Sequence, residues 1–134
     1  GCPNPAAYKI AARWTDGQVS IGEKGVRSVK MTGVSGEIFC DEKETARYRA
    51  DGGRTVDGTR VLALAGRVRV TAKDPKAVLE CDRLEYHPGR AAARAVGDVR
   101  LNSGSSRLEG FSEIWVSDDL RTFGPAELFP VKKR

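Results

Sequence analysis

The chain has 134 residues, 31% of them charged and 40% hydrophobic, with a formal net charge of +5 at pH 7. A chain of this length is read as one domain, able to bury about two-thirds of the surface that its unfolded form exposes. No apolar run approaches the ~18 residues of a membrane-spanning helix, and 7% aromatic residues are too few for a base-stacking platform.

The chain opens on Gly1-Cys2, which is how a bacterial lipoprotein signal sequence ends, the cysteine becoming the lipidated first residue. Cys2 is therefore a lipidation candidate, with an ordinary thiol as the alternative, and residues 1–6 read as an N-terminal linker or anchor segment. Tyr8, Ile10, Ala12 and Trp14 then alternate with Ala7, Lys9, Ala11 and Arg13. That period predicts a strand, ended by a turn at Asp16-Gly17. Val19 and Ile21 follow, before a break over Gly22 to Gly25. "VRSVKMTGVSGEIF", interrupted at Gly33 and Gly36, "TARYRADGG" and "TRVLALAGRVRVTA" carry the alternation onward. In the last of these Leu62, Leu64, Val68 and Val70 share one face, with Gly66 where a side chain would otherwise stand. "KETARYRA" and "DPKAVLECDRLEYH" could also be drawn as amphipathic helices. Glycine and proline punctuate the chain too often for helices of ordinary length, however. Many short strands with regular turns predict an all-β sandwich, barrel or roll.

"GRVRV" at 66–70 recurs as "GDVRL" at 97–101, thirty-one residues later. "LECDRLEYHPG" follows the first copy and "LEGFSEIWVSDD" the second. Each copy thus reads as strand, polar turn, strand, turn, and repeated strand pairs stack into an extended β-structure with open ends.

Reactive groups are sparse. The single histidine, His87, precedes Pro88-Gly89 and reads as a turn cap. No Cys-x-x-Cys pair accompanies it, so neither a nucleophilic triad nor a metal centre assembles. Carboxylates are scattered without an informative pair, so no enzyme, cofactor or metal is expected. Of the three cysteines, Cys40 and Cys81 are either a disulfide or, the preferred reading, two small buried hydrophobes. The positive charge suits an anionic partner such as nucleic acid, but the arginines alternate with acids as a solvated strand face would. Tyr86, Phe111, Trp115 and Phe123 form no RNA-binding signature, so a nucleic-acid binder is the third reading and no nucleic-acid partner is expected.

Leu79, Cys81, Asp82, Leu84 and Tyr86, followed after a turn by Ala95, Gly97, Val99 and Leu101, resemble the repeat of the OstA-like lipopolysaccharide-transport proteins. The continuation "RLEGFSEIWVSDDLRTFGPAELF" is similar to the C-terminal part of the LptC-like branch. The resemblance runs from about residue 26 to 129 and is strongest from 60 to 124. It implies an open, twisted β-jelly-roll over residues 7–129, followed by a basic tail at 130–134. It further implies a non-enzymatic periplasmic protein of outer-membrane biogenesis that binds lipopolysaccharide between its sheets. Partners would be other jelly-roll proteins of the export bridge and the inner-membrane transporter, met through edge-strand pairing at Leu120, Thr122, Phe123 and Leu128. The inward apolar face that would hold lipid comprises Leu64, Val68, Val70, Leu79, Leu84, Tyr86, Val99, Leu101, Leu108 and Ile114. The same residues would serve as the core of an ordinary sandwich. LptC-like proteins usually carry an N-terminal membrane helix. Here the membrane attachment is expected to be peripheral, through a lipid on Cys2 or a helix outside this sequence, whereas LptA-like relatives need no anchor. The runner-up is a cell-envelope β-scaffold that pairs with proteins and carries no lipid.

Overall fold

Side chains that alternate between apolar and polar can satisfy only a pleated strand with one face buried. In the computed structural model, which describes residues 8–21, 27–55, 61–73, 76–104, 106–117 and 119–131, the alternating runs are strands. They are β1 (Tyr8–Arg13), β2 (Asp16–Ile21), β3 (Arg27–Cys40), β4 (Lys43–Thr55), β5 (Leu62–Lys73), β6 (Lys76–His87), β7 (Ala92–Ser103), β8 (Ser106–Ser117) and β9 (Phe123–Gly124). All pair antiparallel with their neighbours in one sheet, in the order β1-β3-β4-β5-β6-β7-β8-β9, with β2 also on β3. Among the described residues the two end strands do not pair with each other. The sheet is therefore an open all-β roll rather than a closed barrel.

The central strands are twelve to fourteen residues long, about twice the usual length, and they bend in the middle. β5 carries an extra residue at Gly66-Arg67 and β7 another at Gly97-Asp98, each shifting the register against both neighbours. The two bulges share one geometry, with φ of +83° and +46° at the first and +84° and +45° at the second. A bulge bends its strand and increases its twist, so a line of bulges creases the sheet into two halves. The thirty-one-residue echo in the sequence is this crease.

One cluster of buried side chains joins the two halves, from Met31 in β3 to Leu120 beyond β8. A second, smaller cluster of Ala92, Trp115 and Phe129 lies at the C-terminal end, where the 3-10 turn Ala126–Leu128 brings the chain back against β7 and β8. The Arg90 guanidinium stacks 5.0 Å from the Trp115 ring, and the His87 ring lies 5.2 Å from it. His87 ends β6 immediately before the 3-10 turn Pro88–Arg90.

Several expectations need correction. Asp16-Gly17 is not a turn. β1 and β2 run in the same sense along one edge of β3, and Thr15 bridges them by donating its amide and hydroxyl to the Thr32 carbonyl at 3.0 and 2.9 Å. Both helical alternatives are strands, β4 and β6, because their apolar residues sit on a two-residue period and stack on neighbouring strands. Cys40 is disulfide-bonded whereas Cys81 is free and buried. The small-hydrophobe reading holds for Cys81 only, and a Cys40–Cys81 bridge is excluded. Cys2 and the basic cluster at 132–134 lie outside the described residues.

Candidate functional site

The apolar face is built from cross-strand ladders. On one side of the crease Tyr48, Val70, Leu79, Leu101 and Leu108 stand opposite one another in turn across β4 to β8. On the other side Met31, Gly53, Leu64, Leu84, Ala95 and Ile114 form a second row across β3 to β8. Leu62, Tyr86, Ala93, Val116 and Phe123 form a third across β5 to β9. Directly opposed side chains of this kind are the unit of sheet stabilisation. Because the strands are creased, ladders from the two halves face each other. Val70 and Leu79 from one side line the same small cavity as Leu64, Leu84 and Tyr86 from the other.

The sequence-expected inward residues are therefore brought together. Leu64, Val68, Val70, Leu79, Leu84, Tyr86, Val99, Leu101 and Ile114 are buried in one cluster, and Leu108 packs against it half-buried. The cavity between them is only about 20 Å³, room for about one water molecule. The interior is thus filled by its own side chains.

Two features of that filling escaped the sequence reading. Leu120 was expected on a partner edge, yet it is 1% exposed and lines the interior cavity. Its φ of +60° is a left-handed conformation that costs a branched residue about 1–2 kcal/mol. A hydrogen-bonded turn enforces it. The Leu120 amide donates to the Ser117 carbonyl at 3.0 Å, the Ser117 amide to the Thr122 carbonyl at 2.8 Å, and the Ser117 hydroxyl to Asp119 at 2.7 Å. The other expected edge residues divide: Thr122 lies in this turn, Phe123 pairs with Val116 in the two-residue β9, and Leu128 is 54% exposed in the last 3-10 turn.

The second feature is at β8. Its C-terminal half, Ile114 to Ser117, is buried, but Ser106 to Glu113 is exposed apart from half-buried Leu108. Phe111, opposite buried Val99, is 43% exposed. β9 covers β8 only at Trp115 and Val116, so the outer edge of residues 106–114 has no strand partner among the described residues. The ladders therefore end at an unsealed side.

At the opposite edge Tyr48 secures β1. Its hydroxyl donates to the Ala11 carbonyl at 2.6 Å, and its ring crosses Gly36. A Cβ at Gly36 would lie 1.9 Å from that carbonyl oxygen and 2.5 Å from the tyrosine oxygen, so only glycine fits beneath the ring. Burial pushes the Tyr48 phenol up to about 12 and, in the core, the Cys81 thiol also up to about 12. Neither is available as a nucleophile near neutral pH. Among the described residues no group of three or more His, Cys, Asp or Glu side chains is placed to hold a metal ion, and no helix there is long and apolar enough to cross a membrane.

A single creased antiparallel sheet with an apolar interior and unsealed edges defines the class: an open β-jelly-roll. More particularly, it is similar to LptH from Pseudomonas aeruginosa, described as the LptA-homologous periplasmic component of the conserved lipopolysaccharide transport device. The likeness has a TM-score of 0.65 at 9% identity and covers 87% of this chain and 80% of that one. The fold is accordingly the LptA-like β-jelly-roll. No protein-family model matches the chain, and no curated protein matches it.

Proposed function

We propose that this chain is a non-enzymatic periplasmic protein that binds lipopolysaccharide and relays it within the export machinery, with a role closer to the LptC-like branch than to LptA. One jelly-roll unit over residues 7–129 would hold the acyl chains between the two halves of the sheet. The observation that carries this reading is the set of three apolar ladders that face each other across the crease and end at the unsealed side of β8. A predominantly apolar interior needs no catalytic group to hold hydrocarbon; burial at about 25 cal/mol per Å² suffices. The likeness to a periplasmic transport component supports the same reading.

The filled interior sets the mechanism of loading. A cavity of about 20 Å³ admits no acyl chain, so cargo takes space now held by side chains. Leu120 is a side chain that could give way, because it reaches the interior from a turn rather than from a strand paired on both sides. The jelly-roll partners, another bridge protein or the inner-membrane transporter, would add to a free strand edge. The exposed edge of β8 from Ser106 to Ile114 offers more backbone for this than β9 does.

A membrane attachment would be through a lipid on Cys2 or an N-terminal helix, and an LptA-like role would need neither.

The same tight packing favours a second reading, a cell-envelope β-scaffold that pairs with proteins and carries no lipid. Photo-crosslinking separates the two. A benzoylphenylalanine at Tyr86 or Leu101 should form a lipopolysaccharide adduct that the outward position Arg100 does not. No adduct from either inward position would leave the scaffold reading standing.

A further inference from the structure

The outer face of the sheet carries a basin of about 410 Å³, within the size range of small-molecule sites. Gly52, Gly53, Ala63 and Ala65, whose side chains are no larger than a methyl group, line its floor, and its rim carries Lys30, Arg54 and Arg83 together with the Glu85–Arg94 ion pair. The register accounts for this arrangement. Lys30 stands directly opposite Arg54, and Arg54 opposite Ala63. In the next row Gly52 faces Ala65, which faces Arg83.

Like charges directly opposed across two strands destabilise the pair. Several other cations of the sheet are matched: Arg67 to Asp51, Arg47 and Lys73 to Glu44, and Arg94, beside this basin, to Glu113 and Glu85. Arg49 and Arg69, by contrast, oppose each other without a carboxylate partner among the described residues. Among the described residues no carboxylate pairs with Lys30, Arg54 or Arg83. Three unmatched cations therefore border a floor of small residues. Such a rim fits a compact anion, and guanidinium groups match phosphate oxygens two at a time.

We propose that this basin binds a phosphate group, carried on a small molecule or on a lipid headgroup. The site is on the face opposite the interior and does not rest on that interior holding acyl chains. A comparable basin of about 400 Å³ lies on the other half of the sheet, where Arg13 and Arg47 are tied to Glu37 and Glu44. There Arg49 and Arg69 are not tied to a carboxylate among the described residues, and Tyr48 and Thr71 stand where the first basin has glycine and alanine. Arg69 in that second basin provides a matched control.

The test is thermal melting of the full chain with inorganic phosphate, glucosamine 1-phosphate or lipopolysaccharide, each against chloride at equal ionic strength. At ten times Kd the expected rise is about 5 °C, seen in the unaltered chain and in Arg69→Glu but abolished in Arg54→Glu and Arg83→Glu. Arg54→Glu should also melt higher than the unaltered chain without ligand, because it turns a like-charge pair into an opposite one. A lipopolysaccharide shift lost both on enzymatic dephosphorylation and in Arg54→Glu identifies the headgroup as the source. A shift confined to the two small phosphates identifies a free phosphate compound. The proposal is overturned if none of the phosphates moves the melting temperature, if chloride does as well, or if Arg54→Glu responds like the unaltered chain.

Discussion

Gly97 lies so close to Asp82 that a Cβ placed on it would sit 2.6 Å from the Asp82 carboxylate oxygen, and thirty-one residues earlier Gly66 stands in the same relation to Asp51, at 2.8 Å. In both places a bulge on one strand tucks against the aspartate of its neighbour. The copies differ in the next residue. Arg67 reaches back to Asp51 at 2.9 Å, whereas Asp98 occupies the equivalent place beside Asp82. The crease is thus common to both copies, while its charge pairing is confined to the first.

Gly97→Ala should destabilise the fold by about 1–3 kcal/mol, because alanine must both adopt φ +84° and displace Asp82. Urea unfolding measures this. Asp82→Ala in the Gly97→Ala background should recover only part of the loss, since it removes the carboxylate contact at 2.6 Å but leaves the residue-82 Cβ at 2.9 Å and the strained backbone. Full recovery would mean that the backbone conformation itself costs nothing.

Tyr48→Phe removes the hydrogen bond to the Ala11 carbonyl and keeps the ring over Gly36. The expected cost is about 1 kcal/mol, localised at the edge of the sheet. Amide exchange in β1 should accelerate while β6, in the middle of the sheet, is unchanged. Uniform acceleration across the sheet would contradict that local role.

Alkaline pH should weaken the fold. The Cys81 thiol and Tyr48 phenol, ordinarily ionising near 9.0 and 10.0, are each pushed by burial to about 12 in the folded chain. Between those values the unfolded chain has released protons that the folded chain still holds. The stabilising contribution is therefore full below pH 9 and is lost as pH rises towards 12. Cys81→Ala should flatten the decline over that interval, and an identical slope would remove Cys81 from the explanation. By the same burial, Cys81 should react with iodoacetamide only after unfolding.

The strands and the inward face were legible because side-chain alternation is a local signal: Leu64, Val68, Val70, Leu79, Leu84 and Leu101 are inward wherever a strand pairs on both sides. The crease was half legible. Gly66 and Gly97 announced a repeat, and Asp51 and Asp82, also thirty-one residues apart, could have completed it. Leu120 was not legible, because its direction depends on the turn around Ser117 and Asp119 and not on any period. The break at Trp14-Thr15 was misplaced onto Asp16-Gly17, since a bend along one edge and a reversal use the same turn residues. Neither the opposition of Lys30 and Arg54 nor the unsealed side of β8 can be seen without the register.

The most direct test of an acyl-binding interior is nuclear Overhauser contact between lipopolysaccharide and the methyl groups of the selectively labelled chain. Acyl chains held in the interior should give contacts from acyl methylenes to Leu79, Leu101 and Val70, with Leu120 shifting as it gives up its place. Contacts confined to the exposed methyls of Leu128 and Val131, with the interior methyls unmoved, would contradict an acyl-binding interior.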